Sequence, residues 1–144
     1  MDEIDLIAEA KPWIVGFPAL CGMEIEELTK GACTASVRLR PELLNAHGFA
    51  HGGVIHMLMD TAAGVAGRYC YYPQRPTVTR SADVHFLRPV QGAKMTARAA
   101  AVKIGRTGSL MRAELFDEQE RLCATGYFEM IYMDATRKNK EATK

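Results

Sequence analysis

An α+β domain, a curved antiparallel β-sheet around one long helix, is what this sequence predicts. Two observations carry it. After residue 76 the chain is a succession of apolar-polar alternations joined by short Pro- and Gly-containing turns, the pattern of neighbouring antiparallel strands. Ahead of them, VIHMLMDTAAGVAG is apolar almost all round, which demands burial on most sides. A sheet wrapped around that segment satisfies both.

The elements follow in order. Residues 3–13 predict a short amphipathic helix, with Ile4, Leu6, Ile7 and Ala10 on its apolar side. A first strand is expected from Cys21 to Thr29, broken by Gly31. In ACTASVRLRP, Cys33, Ala35, Val37 and Leu39 alternate with Thr34, Ser36, Arg38 and Arg40, a half-buried strand stopped by Pro41. Residues 41–50 form a loop. The long helix runs from about His51 to Tyr71, ended by Pro73 and Pro76. Strands are expected at 77–88, 92–104, 108–117 and 121–133, with PVQG, IGRTG and DEQER as hairpin turns. The small residues of TAAGVAG let the helix backbone approach the sheet or a second subunit closely.

The 144 residues suffice for one domain with a core, assigned here to residues 1–136, with a basic tail at 137–144. A hydrophobic content of 48% excludes disorder, and no uncharged run is long enough for a membrane span. The acidic start MDEIDLIAEAK is unlike a secretory signal, which places the expected location in the cytoplasm. A net charge of +1 leaves no electrostatic footprint for nucleic acid. The four cysteines lack C-x-x-C spacing and are expected as reduced thiols.

The segment HGFAHGG, with Asn45 just before it, holds the chemistry. A glycine pair at a helix start puts unpaired amides, at the electropositive end of the helix dipole, within reach of a ligand oxygen. Gly52 is thus a candidate oxyanion donor, against the plainer reading of a tight turn needing positive φ. Asp60 is the one carboxylate of the apolar helix. A buried carboxyl holds a proton more readily than an exposed one, which suits a general base. The competing readings are a helix face that happens to be wet, and a structural ion pair with Arg68 or Arg80. Gly52 and Asp60 lie roughly 12 Å apart along one helix, so one copy cannot bring them together. Two antiparallel copies related by a two-fold axis can. His47, His51 and His56 do not share a helical face, and no HExxH occurs, so metal binding is not expected. His51 is expected to orient the loop through backbone or Asn45, His56 to sit in the core, and His85 to face a ligand or an interface. Met57, Met59 and Phe49 suggest an apolar ligand surface.

Asn45-x2-Gly48-x2-His51-Gly52-Gly53, with Asp60 after six more residues, resembles the hotdog-fold acyl-CoA thioesterases of the phenylacetate-pathway, PaaI-like type. FLRPV at 86–90 and IGRTG at 104–108 resemble later landmarks of that family. The resemblance spans roughly residues 15–133. It implies a homodimer, often paired into a tetramer. It implies that Asn45 holds the thioester carbonyl or the loop around it, that the Gly52 amide polarises the carbonyl, and that Gly53 lies at the substrate. Asp60 of the neighbouring subunit would act as general base on water, or as nucleophile. An assisting hydroxyl falls at Thr79, with Ser81 two residues on. Arg106 and Thr107, then Arg88, Lys94 and Lys103, are candidates for the phosphates of coenzyme A. The coenzyme is part of the substrate, and no other cofactor is implied. Two further readings use the same fold: a non-catalytic acyl-CoA-binding regulator, and an enoyl-CoA hydratase or dehydratase using His56 and Asp60.

Overall fold

The computed structural model describes residues 4–135. The basic tail at 137–144 lies outside them. Six antiparallel strands form one sheet in the order β1-β2-β4-β5-β6-β3. They are β1 (Glu24–Thr29), β2 (Ala32–Arg38), β3 (Thr77–Phe86), β4 (Lys94–Ile104), β5 (Gly108–Phe116) and β6 (Leu122–Tyr132). The long helix α3 (Gly52–Arg68) crosses the concave face of this hotdog fold and touches five of the six strands.

The packing follows from the sequence. Cys33, Ala35 and Val37 of β2, Met95, Ala97 and Ala99 of β4, and Met111, Ala113 and Leu115 of β5 are buried against the helix. The alanines keep that face shallow, so a helix with side chains all round fits against it. At Gly67 an added Cβ would stand 3.2 Å from Met130 Cγ, so the glycine sets how closely α3 meets β6. A buried polar chain fixes the far half of the helix. The Tyr132 hydroxyl donates to the Gly67 carbonyl at 2.9 Å, so Ser109, 2.8 Å away, is its donor. Burial pushes the Tyr132 hydroxyl up to about 12, against the opposing pull of the Ser109 hydrogen bond.

Four expectations change. The N-terminal helix is shorter, α1 (Leu6–Ala10) followed by a 3₁₀ turn at Lys11–Trp13, because Pro12 cannot continue an α-helix interior. A second short helix, α2 (Phe17–Leu20), precedes the sheet, and β1 starts at Glu24 rather than Cys21. PVQG is not a hairpin turn. It belongs to the crossover from edge strand β3 to β4, which lies between β2 and β5. A turn signal marks where a chain bends, not which strand it pairs with next. IGRTG and DEQER do close the β4–β5 and β5–β6 hairpins.

The two sheet edges differ. Strand β1 is six residues long, carries Glu24, Glu26 and Glu27, and has an irregular register, features that discourage edge pairing. Strand β3 is ten residues long, with Val78 and Phe86 about half exposed. Among the described residues nothing pairs with its outer edge.

Candidate active site

Asn45 builds the loop. Its side-chain oxygen accepts from the amides of His47 at 2.9 Å and Phe49 at 3.1 Å, and its own amide donates to the Phe49 carbonyl at 2.7 Å. The tight return places Gly48 at φ +82°, the one position in HGFAHGG needing a left-handed backbone. The loop is pinned by Ala50 donating to the Val90 carbonyl and His51 to the Leu43 carbonyl. Val90 closes the FLRPV stretch, so that landmark supports the site.

His51 caps the helix. Its Nδ1 accepts from the Gly53 amide at 2.8 Å, and its carbonyl accepts from Val54 and Ile55. The Gly52 amide therefore remains, with no hydrogen-bond acceptor among the described residues. Neither Gly52 nor Gly53 has positive φ, so backbone freedom does not explain the pair. A Cβ on Gly53 would stand 3.0 Å from His51 Nδ1, crowding the cap. A Cβ on Gly52 would make ordinary contact with the Phe86 ring at 3.7 Å. What Gly52 keeps clear is its own donor.

The positions of α3 that escape full burial are Gly52, Gly53, His56, Asp60, Thr61, Gly64 and Arg68. Five of these recur every four residues, and from Gly52 to Gly64 the row faces β3 and β6. Thr77 donates to the Gly64 carbonyl at 3.2 Å, Thr79 donates to Asp60 Oδ1 at 2.6 Å, and Phe86 lies by Gly52. Helix and edge strand thus run antiparallel along one half-exposed seam. The proposed arginine pairings of Asp60 do not form. The Arg68 guanidinium lies 4.1 Å from the Trp13 ring centroid and donates to Gln74, while Arg80 faces Glu129 at 3.8 Å.

Ser81 and Thr79 do not share a strand face. The pairing of β3 with β6 slips between them, Thr79 opposite Met130 and Ser81 opposite Glu129. Arg80 is the extra residue of that bulge, so Thr79 turns inward to Asp60 and Ser81 outward to Glu129, 3.1 Å away. His56 meets Phe128 edge-on at 5.8 Å and makes no hydrogen bond to Asp60. Met57 and Met59 turn into the core and do not border the seam. The apolar group that does border it, and that sequence reasoning missed, is Phe86. Its place at the head of FLRPV was the available signal.

The remaining candidates sit elsewhere. Arg106 and Thr107 occupy the β4–β5 turn, where the Thr107 carbonyl accepts from Tyr132. The side chains of Arg88, Lys103 and Arg106 have no hydrogen bond or ion pair among the described residues, and all three residues are exposed, whereas Lys94 is engaged by Glu26. His85 is exposed beside Asp83, 3.2 Å away. No three His, Cys, Asp or Glu side chains among the described residues gather as metal ligands. All four cysteines are buried and free, and burial pushes Cys33 up to about 12. No helix among the described residues is long and apolar enough to cross a membrane.

Residues 47–124, from the loop through the start of β6, match the family model of the thioesterase superfamily. The chain belongs to that superfamily. It is a thioester hydrolase by class. A putative esterase of Haemophilus influenzae is 28% identical over 102 residues, covering 71% of this chain and 74% of its own. The medium/long-chain acyl-CoA thioesterase YigI of Escherichia coli is 25% identical over 137 residues, covering 85% and 88%. Among solved structures, the E. coli PaaI protein of the phenylacetic acid degradation operon superposes with a TM-score of 0.79 at 23% identity, covering 88% of this chain and 91% of its own. A thioesterase family protein from Silicibacter pomeroyi superposes with a TM-score of 0.81 at 26% identity, covering 88% and 97%.

Proposed function

We propose that the chain hydrolyses an acyl- or aryl-CoA thioester to the free acid and coenzyme A, at a site shared by two subunits. The observation that carries this is the seam. A free Gly52 amide and a hydroxyl-bound Asp60 lie on one helical stripe, two turns apart, beside an unpaired edge strand.

The symmetry follows from the seam. Phe86 accompanies Gly52, and Thr79 accompanies Asp60. If two β3 edges pair antiparallel about Ala82 and Asp83, Thr79 of one copy comes opposite Phe86 of the other. The Gly52 amide of one subunit then approaches Asp60 of its partner, and each dimer holds two such sites. Pairing also covers the exposed Val78 and Phe86.

The chemistry is direct water attack. The thioester carbonyl accepts from the Gly52 amide at the positive end of α3. Thr79 holds Asp60 Oδ1, leaving Oδ2 to take a proton from water as its oxygen bonds to the carbonyl carbon. The oxyanion collapses, the C–S bond breaks, and the sulfur leaves with the proton Asp60 took up. Arg106, Thr107 and Arg88 supply donors for the coenzyme phosphates. Phe86 gives the acyl group an apolar wall. Two such dimers pair into the assembly in the cytoplasm.

The test is free-thiol release from acetyl-, hexanoyl-, lauroyl-, palmitoyl-, benzoyl- and phenylacetyl-CoA, with wild type and Asp60→Asn side by side. At least one thioester should be turned over, and the substitution should slow it by about 10²–10⁴-fold with the fold intact. Calorimetric binding without thiol release from any of the six would make the chain an acyl-CoA binder instead.

A further inference from the structure

Between Gly52 and Asp60, α3 presents one side chain to the seam. Val54, Ile55, Met57, Leu58 and Met59 are buried and Gly53 has none, which leaves His56, half-exposed. Its ring meets the buried Phe128 edge-on, centroids 5.8 Å apart, and makes no hydrogen bond among the described residues. Phe128 pairs with Ala82 of β3, and residues paired across a ladder share a face. Ala82 therefore lies on the helix side of the edge strand, next to His56, and it is exposed. Four residues, roughly 6 Å of helix rise, separate His56 from Gly52 in one direction and from Asp60 in the other. When Gly52 of one subunit faces Asp60 of its partner, the midpoint of that match is His56, and the two His56 rings stand at the two-fold axis. Ala82 leads to the same place independently, because it lies at the middle of the β3 pairing set out above. The outer ends are also assigned. Arg88 follows Phe86 at the Gly52 end of β3. The Thr107 carbonyl accepts from the Tyr132 amide and Tyr132 pairs with Thr77, so Arg106 lies by the other end. Antiparallel pairing brings Arg88 of one subunit and Arg106 of the other to the same outer end of each site. A coenzyme arm held there leaves outward, and the acyl arm points inward to the axis.

We propose that His56 is a specificity-determining residue: the two imidazoles, over an apolar floor of Ala82, Val84 and Phe128, close the inner ends of both acyl slots and restrict the substrate to short-chain or single-ring acyl groups. This rests on the shared-site reading. The slot runs roughly 6 Å from Gly52 to the axis, a length that a benzoyl or hexanoyl group fills and a lauroyl group overruns. The rings act by bulk, so an apolar ring at the same position serves as well.

Two measurements test this. His56→Cys, oxidised, should form a disulfide-linked dimer on non-reducing electrophoresis, and wild type, whose four cysteines are buried, should not. Free-thiol release then compares lauroyl-CoA with the best substrate among acetyl-, hexanoyl-, benzoyl- and phenylacetyl-CoA. Wild type should prefer the smaller acyl group. His56→Ala should raise the relative kcat/KM for lauroyl-CoA by about 10–100-fold, while His56→Phe should keep the wild-type preference and most of the rate. A linked, active dimer whose preference does not change in His56→Ala overturns the role of His56 and leaves the shared site standing, as does a wild type that prefers lauroyl-CoA. Loss of all turnover in a folded His56→Phe would make the imidazole itself part of the chemistry, and also overturns that role. An active wild type whose His56→Cys variant does not link means that the helices do not meet at residue 56, and the shared register falls together with the proposal. A wild type that turns over none of these thioesters overturns both.

Discussion

At Thr79 a single backbone irregularity decides which hydroxyl faces Asp60. Strand alternation puts Thr79 and Ser81 on one face, and only a bulge separates them. Nothing in VTRSAD announces that bulge, because its cause is the register of β3 on β6 rather than any residue in the run. The consequence is testable by substitution. Thr79→Val keeps the shape and removes the donor to Asp60. It should lower kcat by about 10–100-fold with little change in KM, because the hydroxyl orients a carboxylate rather than gripping substrate. Thr79→Ser should restore most of the rate, and Ser81→Ala should leave it within about twofold. A Ser81→Ala variant as damaged as Thr79→Val would mean that the bulge is not the working register. His51, by contrast, was legible from the residues as an orienter of the loop, and the loop-holding role of Asn45 followed from the family resemblance. Their short side chains bond backbone two to four residues away, and such local bonds depend on sequence separation alone.

At the scale of elements, long-period patterns were legible and long-range choices were not. The strands at 77–88, 92–104, 108–117 and 121–133 appear within a few residues of those limits, because alternation is written into each segment. The destination of PVQG was hidden, since pairing of β3 with β6 depends on residues forty positions further on. Hairpins are more local, and DEQER shows what holds one. The Asp117 side chain is 1% exposed and accepts from the amides of Gln119 and Arg121 and from the Arg121 guanidinium at 2.7 Å. Burial alone would raise its carboxyl, but these hydrogen bonds and the Arg121 charge outweigh it and hold the carboxyl below its ordinary 3.8. The stabilisation is therefore fully present above that value and lost as pH falls through the depressed one. Asp117→Asn should cost about 1.5–3 kcal/mol at neutral pH. In denaturant titrations from pH 7 down to about pH 2, the gap to wild type should shrink below 3.8. A gap of constant size would show that shape, not charge, closes the turn.

For the whole molecule, the site proposed to be shared between subunits makes a claim about stoichiometry that no single-chain reading can reproduce. Asp60→Asn homodimers retain Gly52 and lack the base. Gly52→Val homodimers retain the base, while the new side chain, set between the amide and the Phe86 ring 3.7 Å from its Cβ, should hinder a ligand oxygen from reaching the donor. Each alone should be nearly inactive. In a heterodimer of the two, one site combines the intact Gly52 amide of the first chain with the intact Asp60 of the second, and the other site combines both defects. Equal mixing with free exchange makes half of the dimers heterodimers, each with one working site of two. The mixture should therefore recover about a quarter of wild-type activity. Unfolding and refolding the pair together allows that exchange, and sedimentation velocity verifies that dimers form. If Gly52 and Asp60 instead served a site within one chain, every site in the mixture would carry a defect. Activity would then stay at the level of the separate variants, however completely the subunits had exchanged.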